Sequence, residues 1–239
     1  MRLIKKFVAH TKAFFLYILF NPYFLCFYGY LRYLIFKFFF GYKIINSTYS
    51  IESSNEHNLD GLDKIVTSFF MKRFDYLISA LISIERIDKK NDNLLVIGPR
   101  SESDIIKLKA TGFQNIKAID LITYSPLVDL MDAHKITYPE NHFDIIFCGW
   151  VLPYSQNPKL IAENIIKVAK NNSIILIGLE FSENEKINSV KKILEIFEPH
   201  VFNVYFAYDA ELKKNDPKKM LEVNKLHSSQ VLTVFSIKK

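Results

Sequence analysis

Leu94-Leu95-Val96-Ile97 is a short, wholly apolar run that opens directly into Gly98-Pro99-Arg100-Ser101-Glu102-Ser103-Asp104. Four apolar residues bounded by turn formers read as a strand buried on both faces, the kind found in parallel sheets. Residues 104–110 then carry a helical pattern, with Gly112 placed to end it. Downstream the alternation continues. Residues 117–121 and 143–148 are further strands, and Asn157-Pro158 supplies a cap and a first-turn proline for a helix through Lys170. Residues 174–179 form the next strand, and Ser182-Glu183-Asn184-Glu185 has capping-box spacing before a helix ending near Glu198-Pro199. Residues 201–208 and 230–237 are two late strands separated by a charged, exposed insertion over 211–227. Upstream, Phe69, Phe70, Phe74, Leu77, Ile78 and Leu81 recur near helical period within 62–87. Strands alternating with helices predict an α/β fold, a doubly wound and mostly parallel sheet covered on both faces.

The rest of the chain is organised by charge. Its 239 residues are 49% hydrophobic and 23% charged, a composition that excludes fibrous or wholly disordered chains. Residues 1–45 hold 16 of the 35 aromatic residues and seven basic residues with no Asp or Glu. The remainder, with 24 basic and 25 acidic residues, is nearly neutral, which argues against nucleic acid as a partner. We therefore divide the chain into a basic-aromatic helical arm (1–45), a polar linker (46–58) and a globular domain (59–239). Two cysteines and six scattered histidines suggest neither a disulfide framework nor a metal site. Within the arm, residues 13–31 are uncharged and long enough to span a bilayer. Asn21-Pro22 interrupts them, four tyrosines lie among them and basic residues flank both sides, so the expectation is two short helices meeting at Asn21-Pro22 in the headgroup layer. Both ends then stay cytoplasmic, at the inner face of the membrane. The alternative is an arm packed on the body or on a second subunit.

In open parallel sheets, ligands gather at the carboxyl ends of the strands. After the first strand comes Gly98, and Asp120 closes the second strand 22 residues later, a spacing that suits a carboxylate gripping ribose hydroxyls. A dinucleotide site would need G-x-G-x-x-G, where this chain has Arg100, Glu102 and Ser103. Acids at Glu102 and Asp104 would repel pyrophosphate and suit a ligand bearing ammonium or sulfonium. NAD and FAD are therefore poor candidates.

Residues 90–180 resemble the class I S-adenosylmethionine-dependent methyltransferases. Leu95-Val96-Ile97-Gly98 is similar to their first motif, in a branch with a Gly-Pro-Arg loop, and Ala118-Ile119-Asp120-Leu121 to the ribose-binding motif. Asp132-Ala133-His134 is similar to the loop beside adenine, and residues 138–146 to the approach to the fourth strand. The usual acidic-x-Gly-x-Gly-x-Gly pattern is reduced here to Val96, Gly98, Arg100 and Glu102. The resemblance implies a Rossmann-like methyltransferase fold with S-adenosylmethionine as cofactor. It also implies that Asp120 and Leu121 lie on the ribose side and Asp132 and Ala133 on the adenine side. Gly149 and Trp150 follow the fourth strand, near the reacting methyl, where Trp150 and Tyr154 would wall the pocket. From chemistry alone we add Arg100 for the methionine carboxylate and Glu102 for its ammonium. His134 is the candidate general base, with a helix-capping role for Glu102 and a surface role for His134 as the plainer readings.

The function so implied is methyl transfer to an O or N acceptor, a small metabolite or a glycan- or lipid-linked envelope intermediate. The alternative, motivated by the sparse glycines, is a non-catalytic protein that keeps the fold as a binding or scaffold module at the membrane.

Overall fold

The computed structural model describes residues 21–49, 59, 62, 73–99, 101–181, 186–209 and 230–239. Arg100, the capping box at 182–185, the insertion at 211–227, the linker from residue 50 to 58 and the arm before Asn21 lie outside these residues.

Helix α1 runs over Pro22–Phe40. It starts where the Asn21 side chain accepts the Tyr23 backbone N–H and Pro22 fills the first turn, and it stops at Gly41, whose φ of 63° no β-carbon obstructs. The helix therefore passes well beyond residue 31, because no breaker intervenes. Strand β1 (Lys43–Ile44) follows. Then come α2 (Arg73–Ile82), β2 (Asn93–Ile97), α3 (Ser103–Ala110), β3 (Asn115–Asp120), β4 (Ile122–Thr123) and β5 (Asp129–Leu130). The chain continues through β6 (Phe143–Gly149), α4 (Pro158–Val168), β7 (Ala169–Glu180), α5 (Val190–Phe197), β8 (Val201–Asp209) and β9 (Gln230–Ile237).

Seven strands form one sheet in the order β5-β3-β2-β6-β7-β9-β8. The first five are parallel, and β9 inserts antiparallel between β7 and β8. This is the expected doubly wound sheet with an N-terminal helix, and its order reverses at β2, where the next strand in sequence lies to one side and β6 to the other. Successive side chains of each strand go to opposite faces. Leu95, Ile97, Ile146 and Ile175 pack with Ile161 and Ile165 of α4 and Ile193 of α5. Leu94, Val96, Phe147 and Leu176 pack with Leu77 and Leu81 of α2 and Leu108 of α3. Burial on both faces explains why β2 is apolar from Leu94 to Ile97 instead of alternating.

Two features depart from the sequence reading. The helix over 62–87, so far as it is described, ends at Ile82, and α4 yields to β7 already at Ala169, so that β7 is longer than expected. The arm itself is joined to the body. One stripe of α1 (Cys26, Tyr33) shares a buried cluster with Leu62, Ile106, Ile122 and Tyr124, and β1 pairs antiparallel with β4.

Candidate active site at the carboxyl edge of the sheet

The turn after β2 and the end of β3 lie side by side, with the Gly98 N–H donating to the Ile119 carbonyl at 2.9 Å. Gly98 adopts φ 73°, and a β-carbon there would overlap the Val151 side chain, so only glycine fits. Asp120, half-buried, is the last residue of β3, and its carboxylate accepts the Ile122 N–H at 3.3 Å. Across β2, Gly149 ends β6, and a β-carbon placed on it would meet no atom within 4 Å. The turn is thus closed tightly at Gly98, while Gly149 borders open space at the carboxyl edge.

Glu102 is placed differently from the expectation. It is the N-cap residue of α3, yet its side chain makes no cap hydrogen bond. Fully buried, it accepts from Arg32 of α1 through both oxygens, Nε to Oε2 at 2.5 Å and Nη2 to Oε1 at 2.9 Å, and also from the Ser125 hydroxyl. The Glu102 hydrogen bond raises the guanidinium pKa above its ordinary value. Burial pushes the neighbouring Tyr124 phenol up, and its hydroxyl accepts the Glu102 N–H. A carboxylate so held is committed to the arm, and the ammonium role proposed for it from chemistry alone is not retained. The clue in the sequence was Arg32 itself, one of only two charges in the 19 residues of α1 and hence in need of a partner.

Asp132 and His134 come together on the turn Ala133–Lys135. The Asp132 carboxylate accepts the His134 N–H at 2.9 Å and meets Nδ1 at 2.6 Å, while Nε2 lies 2.6 Å from Ser155 Oγ. The Tyr49 ring covers the imidazole at 4.9 Å between centroids, and the Tyr49 carbonyl accepts the Gln156 N–H. His134 is buried with both ring nitrogens engaged, and it ties three segments together at this turn. Burial raises the Asp132 pKa, but hydrogen bonds from the His134 side chain, Ser47 and the His134 backbone outweigh it and bring the carboxyl to about 2. A lowered carboxyl pKa stabilises the fold above the unfolded value and loses that stabilisation as pH falls. The stability difference between wild type and Asp132→Asn should thus be full at pH 6 and shrink between about pH 4 and 2, as read by urea unfolding across that range. A difference independent of pH would remove the charge from the account.

Trp150 takes φ 57° and lays its ring against Gly178, where a β-carbon would come within 3.0 Å of it. It therefore packs on the α2 side of β7 while remaining at the edge. Tyr154, half-buried, ends the short turn Leu152–Tyr154, and Ala133 is buried in the core. Leu121 packs toward the arm, its carbonyl accepting the Ile45 N–H. Cys148 is fully buried and its thiol is pushed up to about 12, which suits packing and not nucleophilic chemistry. Among the described residues no group of three or more His, Cys, Asp and Glu could hold a metal ion.

Residues 107–177 match the model of a methyltransferase domain. No curated protein matches the chain. Among solved structures, a Pyrococcus horikoshii protein is similar with a TM-score of 0.52 at 11% identity, over 71% of this chain and 92% of that one. The N-methyltransferase NodS from Bradyrhizobium japonicum, solved with S-adenosyl-L-homocysteine, gives 0.51 at 14% identity, over 70% of this chain and 87% of that one. The sheet and its flanking helices are those of the Rossmann-like methyltransferase fold.

Proposed function

We propose that the protein is a methyltransferase using S-adenosylmethionine, which binds across the carboxyl edge between Gly98, Asp120 and Gly149. The observation that carries this is the left-handed Gly98 turn, which donates to Ile119 next to Asp120 on one side and borders Gly149, where a side chain would meet open space, on the other. The methyltransferase-domain match and the fold it shares with NodS support the same cofactor. Bound there, the sulfonium supplies an electrophilic methyl group. In this reading Asp120 accepts hydrogen bonds from the ribose hydroxyls, and Asp132, tied up by His134, contributes by fixing the turn beside adenine. Arg100 remains our candidate for the methionine carboxylate, and Trp150 and Tyr154 for the wall facing an O or N acceptor. Methyl transfer from sulfonium depends mainly on alignment and exclusion of water, so few dedicated catalytic residues are required. We place the protein at the inner face of the membrane, acting on a small or lipid-linked acceptor.

The non-catalytic reading is favoured by one observation, the loss of Glu102 to Arg32. Titration calorimetry of the full chain with S-adenosylmethionine and S-adenosylhomocysteine decides between them at the level of binding, and transfer of radiolabelled methyl into membrane or soluble extracts tests catalysis. Micromolar binding with transfer is expected. A folded protein giving no heat with either compound would sink the cofactor assignment, and binding without transfer would favour the scaffold.

A further inference from the structure

Helix α1 is apolar nearly all round, and its only two charges face the body. Arg32 is bound to Glu102, while Lys37 donates to the Tyr33 hydroxyl at 2.8 Å and stands 5.0 Å from the centre of the Tyr42 ring. The stripe Cys26, Gly29 and Tyr33 is buried. On the opposite side Tyr23, Phe27, Leu31, Leu34 and Phe38 succeed one another at three- and four-residue spacing, with Phe27 63% and Phe38 83% exposed. An uncharged aromatic face of this length is far from what water-facing helices present.

From this surface we infer that α1 docks on an anionic bilayer, lying in the plane of the headgroups with its Phe27–Phe38 stripe inserted. Charge complementarity selects the occupant, because beyond the two body-facing charges of α1 the sequence places Arg2, Lys5, Lys6 and Lys12 before the helix and Lys43 after it, with no acid in residues 1–45, whereas the rest of the chain is nearly neutral. Phenylalanine and tyrosine are also the side chains suited to the interfacial layer. Among the described residues no helix is long and apolar enough to cross a membrane, which favours lying on it over spanning it. Because Arg32 and β1 fasten α1 beside the carboxyl ends of β2 and β3, docking brings that edge to the lipid surface, where an amphipathic acceptor is met. The last step rests on the methyltransferase reading; the docking itself does not.

Flotation of the full chain on phosphatidylcholine vesicles, with and without one-third phosphatidylglycerol, tests the inference alongside the double variant Phe27→Glu/Phe38→Glu. Wild type should float with the anionic vesicles, bind neutral ones about tenfold more weakly or worse, and lose flotation in the double variant with no change in melting temperature. Failure of the wild type to float, or equal flotation of the variant, would overturn the proposal. A wild-type dimer in sedimentation that the two glutamates dissociate, without flotation, would overturn it too and assign the stripe to a second copy. S-adenosylmethionine titration runs in parallel: its failure would count against the methyltransferase reading and leave the docking result standing.

Discussion

Replacing Arg32 with methionine is expected to destabilise the full chain by about 3 kcal/mol, because it strands the Glu102 carboxylate in a fully buried site. The methionine stem still fills part of the volume of the arginine stem, so the loss is chiefly electrostatic. Adding Glu102→Gln to Arg32→Met should restore most of the stability, since a neutral amide tolerates the site with Ser125 as its partner. For a chain of this length, about 3 kcal/mol corresponds to a fall in melting temperature of roughly 6 to 12 °C. Thermal and urea unfolding of the two single variants and the double variant form the cycle. A cost below about 1 kcal/mol for Arg32→Met would mean that the pair behaves as an exposed ion pair. Truncating the arm strands Glu102 in the same way, so binding experiments belong on the full chain.

Asp120→Ala should weaken S-adenosylmethionine binding by about 10- to 100-fold, the loss expected when a charged hydrogen-bond acceptor is removed. The same carboxylate accepts the Ile122 N–H, so alanine also loosens β4 and through it the β1 pairing of the arm. Asp120→Asn separates the two roles. It keeps an oxygen for Ile122 while removing the charge, so it should melt like wild type and still bind more weakly. Calorimetry reads the affinity and unfolding reads the fold. Full affinity in the alanine variant would remove Asp120 from the cofactor site, whereas a folding defect in both variants would make its role structural.

The parts of this molecule that were legible in sequence are those encoded by neighbours in the chain. Leu94–Ile97 announces a buried parallel strand because both of its faces are covered, and Asn157-Pro158 announces a helix start because capping is local. Asp120 was legible because a strand end is a short-range event. Glu102 was not, for its partner Arg32 stands 70 positions away and nothing near Glu102 distinguishes a cofactor ligand from an internal ion pair. His134 is similar: its neighbour Asp132 was visible, but Ser155, 21 positions on, which meets the other nitrogen, was not. The join between arm and body at β1 was not legible, because β1 is two residues long and leaves almost no pattern to read.

The 70 positions between Arg32 and Glu102 also set an order of events during synthesis. At translation rates of about 5 to 20 residues per second, α1 is made roughly 4 to 14 seconds before the carboxylate that anchors it. Throughout that interval the newborn helix lacks its ion pair and β1 after it lacks its β4 partner, while the aromatic side chains of the helix are already complete. Whatever receives it first, a chaperone or a lipid surface, does so before the domain exists. The nascent chain therefore exposes its stickiest segment before the domain that holds it has been made.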